Sequence, residues 1–365
     1  MRIAQISPLI ESVPPRLYGG TERIVSYLTE ELVQMGHEVT LFASGDSTTG
    51  AELCGCSSQA LRLDPTVKDI IPYYMLMLDR VRRQADEFDI LHFHIDAYHF
   101  PLFAPIAGRT VTTLHGRQDI SDLKPLYAGF PEMPLVSISD AQRKAVEHAN
   151  FAGTVYHGLP THLLKANYNP NGNYLAFLGR ISPEKRPDRA IRIARALGIP
   201  LKIAAKVDKA DEGYFREHIA PLLEQGGGVE FIGEINERQK GPFLSNALGL
   251  LFPIDWPEPF GLVMIEAMAC GTPVLAFRNG SVPEIVEDGV TGCIVDSEEE
   301  AVKVLPSLLS IDRRGVRRRF EERFSASRMA KNYLAVYRSM LRQPARPSAA
   351  RGRRNGAAVI EESLN

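Results

Sequence analysis

The sequence predicts an α/β protein of two doubly wound, Rossmann-like domains facing a central cleft. Three observations predict it. Short apolar runs alternate with helical patterns from end to end, which is the signature of parallel sheets wound with helices. A cluster of Asn, Pro and Gly, "NYNPNGN" at residues 167–173, interrupts that alternation near the middle of the chain. The length of 365 residues exceeds one ordinary core but suits two domains, each of about 150 to 200 residues.

Each element follows in order. "RIAQIS" reads as a first strand, and "TERIVSYLTEELVQMG" as a helix with apolar residues at Ile24, Leu28 and Leu32, flanked by Val25 and Val33 and stopped by Gly36. "EVTLFAS", "DILHFH", "TVTTLH", "PLVSIS" and "TVYHG" read as further buried strands of the same domain, residues 1–166. After the 167–173 hinge, "YLAFLGR", "LKIAAK", "VEFIGEI", "LGLLFPI", "VLAF" and "TGCIV" make a second series, residues 167–325. "SRMAKNYLAVYRSML" is amphipathic, and a helix over 326–342 is placed to pack back on the first domain. Residues 343–365 lose periodicity and fill with Arg, Pro, Gly and Ala, the composition of a disordered basic tail. In wound sheets ligands bind at the carboxyl ends of the strands, so the site is expected between the domains.

Composition narrows the function. Charged residues make up 24% and hydrophobic ones 44%, with a formal net charge of -2. That balance argues against nucleic acid as a partner. Basic "RRGVRRRF" and the tail allow at most a peripheral membrane contact. No apolar run approaches the ~20 residues that span a bilayer, and "MRIAQISPLIES" lacks a cleavage site, so the protein is expected to be cytoplasmic. Cys54, Cys56, Cys270 and Cys293 have neither disulfide nor zinc spacing; the first two are read as reduced thiols in a loop, and no metal site is expected.

Four loops carry the chemistry. In "PPRLYGGTER", Gly19 and Gly20 sit between the first strand and first helix, where glycines let backbone amides approach a phosphate or simply allow a tight turn. The absence of G-x-G-x-x-G counts against a dinucleotide-dependent oxidoreductase. In "FLGRISPEKRPDRAI", Arg180 and Lys185 bracket a turn and either clamp a diphosphate or flank a helix in solvent. His94 and His115 each close a strand, and His115, followed by Gly116, is the better candidate. In "WPEPFGLVMIEAMACGTP", Pro257 and Pro259 keep Glu258 on a loop and Gly261 frees the turn into a helix from about Leu262. Glu266 then lies about one turn in, and the amides of Phe260, Gly261 and Leu262 are left without helical partners. Carboxylates accept sugar hydroxyls, and amides bind phosphate. Trp256 either lines a sugar pocket or packs.

"GRISPEKR", "PEPFGLVMIEAMACGTPV" and "GSVPEIVEDGVTG" resemble glycosyltransferases of family four, retaining enzymes with the GT-B fold, over residues 1–342. The resemblance implies transfer of a hexose, glucose above all, from a UDP-sugar to a hydroxyl acceptor, with no cofactor and no metal. It also implies roles: Glu266 on the nucleotide ribose, Glu258 on a donor-sugar hydroxyl, Arg180 and Lys185 on the diphosphate, Gly20 facing the phosphates and His115 near the sugar 6-position. "VYHGLP" and "LKIAAKVD" depart from the family pattern. The beginning of the chain is similar to members that glucosylate small molecules such as pterins. Residues 117–134 are expected to shape the acceptor pocket, whether for a small molecule, a glycan or a lipid. The alternatives are a UDP-sugar 2-epimerase and a non-catalytic nucleotide-sugar-binding protein.

Overall fold

The computed structural model describes residues 1–16 and 19–342; the expected tail lies outside these. Thirteen strands form two sheets. The first contains β1 (Arg2–Ile6), β2 (Glu38–Ser44), β3 (Glu52–Ser57), β4 (Ile90–Phe93), β5 (Thr110–Thr113), β6 (Leu135–Ser137) and β7 (Phe151–Thr154), in the order β3-β2-β1-β4-β5-β6-β7. The second contains β8 (Leu175–Arg180), β9 (Leu201–Lys206), β10 (Val229–Gly233), β11 (Gly249–Phe252), β12 (Val274–Phe277) and β13 (Gly292–Val295), in the order β10-β9-β8-β11-β12-β13. Every pairing is parallel, as in β1 with β4 and β8 with β11. The central strands β4, β5, β11 and β12 are buried along their whole length, which is why β11 and β12 read as continuous apolar runs rather than alternating ones; β5 buries threonines instead.

Two local readings change. Cys54 and Cys56 lie on the edge strand β3 rather than in a loop, and both are free thiols. Their strand was obscured because Gly55 sits between them and the segment is polar at its ends. The last strand of the first sheet is Phe151–Thr154, upstream of "TVYHG", whose residues His157 and Gly158 have already left the sheet.

The order of strands reverses direction between β1 and β4 and again between β8 and β11. These are the switch points where loops leave to opposite faces and a crevice opens at the strand ends. The loops after β1, β4, β8 and β11 therefore hold the glycine pair, His94, the Arg180–Lys185 turn and the Trp256–Gly261 stretch.

The chain crosses between the two sheets twice, side by side. Leu159 N donates to Phe324 O at 2.9 Å, and Ala326 N donates back to Leu159 O at 2.8 Å. A Cβ at Gly158 would lie 2.3 Å from Ser325 O, so only glycine allows this approach. Leu159 and Leu164 are already buried with Phe243 and Leu244. Asn167, at the start of the expected hinge, is fixed by a bond from its N to Cys270 O at 3.1 Å and by Arg313 Nε, which donates to its O at 2.7 Å. After the second crossing, the helix Ala326–Arg342 buries Met329, Tyr333 and Tyr337 against Ile24, Leu28 and Val111 of the first half.

Candidate active site

The loop after β11 is built as the prolines dictate. Pro257 and Pro259 hold it extended, and Gly261 at φ 77 turns it into the helix Leu262–Ala269. No side chain caps that helix, so its first amides carry the partial positive charge of a free N-terminus. Glu258 is buried and ion-paired with Lys185, while Trp256 Nε1 donates to the same carboxylate oxygen at 3.0 Å. Trp256 in turn lies between two cations: Lys185 Nζ is 4.8 Å from its ring centroid and the Arg117 guanidinium 5.8 Å. Trp256 thus contacts the carboxylate through its N–H and the lysine through its ring face.

Glu258 and Glu266 do not share a partner. Glu266, also buried, receives Lys240 Nζ at 2.7 Å. Lys240 also meets Glu237 at 2.6 Å, and Glu237 takes Arg23 of the first half at 2.8 Å. Burial would pull the Lys240 pKa down, but Glu266 and Glu237 outweigh it and hold the pKa above the usual lysine value. Arg180 stands at the rim, 3.8 Å from Asp208 and 3.9 Å from Asp211. Each cation expected to meet phosphate therefore already faces a carboxylate, which an incoming diphosphate would have to replace or join.

His115 and His94 act as one unit, so the choice between them dissolves. Gln5 Nε2 donates to the Tyr337 hydroxyl at 3.3 Å, which leaves its Oε1 to accept from His94 Nε2 at 2.8 Å. His94 Nδ1 must then accept from His115 Nε2, 2.8 Å away. This assignment leaves His115 Nδ1 as a lone pair. Burial pushes His115 down to about 3 and His94 well below the usual imidazole range, so both rings are neutral near pH 7. His157 stacks on His115 with centroids 5.2 Å apart and touches Phe260 at 4.8 Å. The Phe260 ring is consequently core, and only its backbone is left to meet a donor.

The glycine pair splits in role. A Cβ at Gly19 would lie 2.7 Å from Pro15 Cβ, a packing constraint, whereas a Cβ at Gly20 would meet only Leu262 Cδ1 at 3.7 Å. Gly20 opens the helix Gly20–Gln34, which likewise has no side-chain cap. Two uncapped helix N-termini from opposite halves thus come close together, an arrangement suited to anionic phosphate.

Sequence reasoning missed Lys240, Glu237 and Arg23. An ion-pair chain that joins residues from positions 23 to 266 has no local pattern, and only the i,i+3 spacing of Glu237 and Lys240 was visible. It also missed the recess beside His115, a cavity of about 360 Å³ lined by Pro8, Ile10, Thr21, Ile70, Tyr74, His94, Ile95, Asp96, Tyr98, His115 and Gly116. Its walls come from the loops after β1, β4 and β5, from Thr21 at the start of the helix Gly20–Gln34 and from Ile70 and Tyr74; residues 117–134 do not line it.

Two family models match, "Glycosyltransferase Family 4" over residues 18–163 and "Glycosyl transferases group 1" over residues 162–325. D-inositol 3-phosphate glycosyltransferase of Saccharomonospora viridis is 33% identical over 185 residues, 46% of this chain and 43% of that protein. The protein of the same name from Mycobacterium leprae (strain Br4923) is 35% identical over 136 residues, 34% of this chain and 30% of its own length. The matched stretches thus span less than half of those relatives. Among solved structures, AviGT4, a glycosyltransferase involved in avilamycin A biosynthesis, superposes with TM-score 0.66 at 24% identity, covering 93% of this chain and 98% of that one. HepE of Anabaena in complex with UDP and glucose gives TM-score 0.70 at 17% identity, covering 93% and 100%. These likenesses agree with the paired parallel sheets in assigning the GT-B fold. With one model covering each half and the two meeting at the crossing, the chain belongs to glycosyltransferase family four.

Proposed function

We propose that this protein transfers a hexose, glucose above all, from a UDP-sugar to a hydroxyl acceptor with retention and without a metal. The observation that carries the reading is the meeting of the two uncapped helix N-termini at Gly20 and Leu262, beside the Lys185–Glu258 pair. A nucleoside diphosphate leaving from the sugar develops negative charge on its phosphate. Two helix termini, Lys185 and Arg180 are pre-arranged donors for that charge, and the sequence contains no Asp-x-Asp. Glu266 takes the ribose hydroxyls, Glu258 a sugar hydroxyl, and the His115 lone pair accepts a further hydroxyl of the sugar. In the transfer, the bond from the anomeric carbon to the phosphate oxygen breaks and a bond to the acceptor oxygen forms on the same face. The acceptor proton passes to the departing phosphate oxygen, and UDP leaves. No side-chain base is required, and no cofactor beyond the donor takes part. The cytoplasm, where nucleotide sugars are made, is the proposed location; among the described residues no helix is long and apolar enough to cross a membrane.

The test is incubation with UDP-glucose and related donors, with and without EDTA, following UDP release and the anomeric proton signal of the sugar product. UDP release that survives EDTA, with an α-configured product, is expected. A changed sugar in place of a transferred or hydrolysed one would make the protein an epimerase, and tight UDP binding without turnover would make it a binder. Loss with EDTA and recovery with manganese, or a β-product, would overturn the assigned roles.

A further inference from the structure

The recess beside His115 has two unlike walls. One is apolar and aromatic: Ile10, Ile70, Tyr74 and Tyr98, with the Tyr74 and Tyr98 rings 5.4 Å apart. That wall does not stop at the cavity. Ile70 and Tyr98 are 37% and 60% exposed, and the surface runs on through Ile71, Met75 and Leu76 on the helix Ile71–Arg83, which are 59%, 60% and 69% exposed. Scattered apolar residues on a surface need no explanation, but a contiguous group that runs into a cavity marks a binding surface. The other wall is polar, made by Thr21, His115 and Asp96.

Asp96 is the unusual member. It has φ 51, in the left-handed region that few non-glycine residues other than Asn, Asp and His adopt. It makes no hydrogen bond or ion pair among the described residues that would compensate for that conformation. It is open to solvent yet ringed by protein, and that enclosure raises its carboxyl pKa. An unpartnered carboxylate beside the His115 ring is positioned for something that arrives from outside.

We infer that this recess is the acceptor site and that it takes a hydroxyl compound with an apolar body, a hydroxyl on Asp96 and the body along Ile70, Tyr74 and Tyr98. The inference rests on the proposed transferase reading for the place of the hydroxyl. Asp96 accepts a hydrogen bond from an acceptor hydroxyl other than the reacting one and so holds the reacting oxygen toward the anomeric carbon; the proton of the reacting hydroxyl leaves with the phosphate as above. The apolar wall contributes through water excluded from both surfaces. A compact polyol would leave Ile70 and Tyr98 wet and gain nothing from them.

The test compares methyl β-D-glucoside with hexyl β-D-glucoside, which share a head and differ in the apolar body. Titration is followed by the methyl NMR signals of Ile10, Ile70 and Ile95, without donor. Hexyl glucoside is expected to shift these signals and to bind at least tenfold more tightly than methyl glucoside. Ile70→Ser and Tyr98→Ser should each cut that preference to about threefold or less. In turnover with UDP-glucose, Asp96→Asn should raise the acceptor KM at least tenfold while UDP affinity and melting temperature stay as in the wild type. Asn tolerates the left-handed region, so a folding defect would not mimic this result. Equal binding of the two glucosides, or binding that leaves the three Ile signals unmoved, overturns the proposal. So does association with empty phosphatidylcholine–phosphatidylglycerol vesicles that Ile71→Ser and Leu76→Ser abolish while the glucoside preference is absent, since the surface would then dock a membrane. A wild type that binds hexyl glucoside in the recess but not UDP would sink the donor reading and leave the acceptor pocket standing.

Discussion

At the scale of single residues, the site is a set of buried charges that are each provided with a partner. Glu266 has Lys240 and Glu258 has Lys185, and a buried carboxylate left alone would cost several kcal/mol. The pairing makes the mutational expectations distinct. Glu266→Ala should weaken UDP binding by ~1.5 to 3 kcal/mol, the worth of a hydrogen bond to a charged group, as read by calorimetric titration. Affinities within twofold of each other would make Glu266 structural. Arg180→Ala and Lys185→Ala should each lower turnover by ~10²-fold or more, because both lose charge stabilisation felt mainly in the transition state. Gln5 acts further back. Its amide, with distinct donor and acceptor ends, fixes direction in the run from Tyr337 through His94 to His115. In Gln5→Leu the ring-nitrogen chemical shifts of His94 and His115 should lose their single-tautomer pattern. Unchanged shifts would mean the tautomer is set elsewhere.

At the scale of elements, the decisive piece is the turn from the Pro257–Pro259 loop into the helix Leu262–Ala269. Gly261 has φ 77, and a Cβ there would lie 2.7 Å from Met264 Cε and 3.1 Å from Phe252 Cζ. Gly261→Ala combines left-handed strain with a clash, so a loss of about 1 to 3 kcal/mol is expected from the strain alone. Chemical denaturation would show a lower midpoint with an unchanged slope; an unchanged midpoint would show that the helix start can shift. This element was legible in the sequence because prolines and glycines act on their own backbone. The edge strand at Cys54 was not, because an edge strand takes its identity from pairing with β2 rather than from its own residues.

At the scale of the whole molecule, two latches hold the halves together. Arg23 reaches Glu237, and the Glu284 carboxylate accepts from the amides of Asp140 and Ala141, each at 2.7 Å. With two adjacent crossings among the described residues, at 158–159 and 325–326, the halves are expected to swing about that pair. Small-angle scattering should show a larger radius of gyration for Glu284→Ala than for wild type, and a smaller one when UDP is added to either. Equal radii with UDP bound would count against closure. The first half also sets a pH dependence. His92, His94, His99, His115 and His157 all have pKa values lowered by burial. An imidazole that is neutral when folded takes up its proton only on unfolding, so its stabilising effect is present above the unfolded pKa and is lost as pH falls below about 6.5. His99 stacks on Phe93 at 3.7 Å, so His99→Phe keeps the shape and removes the proton site. The loss of stability from pH 7 to pH 5 should be smaller in His99→Phe by about 2 kcal/mol. An identical loss in both proteins would place His99 protonation in the folded state.

The sequence by itself determined the two wound sheets, the loops that carry chemistry and the start of the helix at Leu262. Those features follow from local rules: burial on both faces favours apolar strands such as β11 and β12, and Pro and Gly restrict or free the backbone where they stand. Tertiary structure decided which charges meet. Whether Glu266 would share Lys185 with Glu258 or take Lys240, which ring nitrogen of His115 would be bare, and that Asp96 and Ile70 would share one recess all depend on contacts between residues far apart in the chain. Side-chain pairing is a property of three-dimensional distance and desolvation, and no spacing along one strand or helix encodes it.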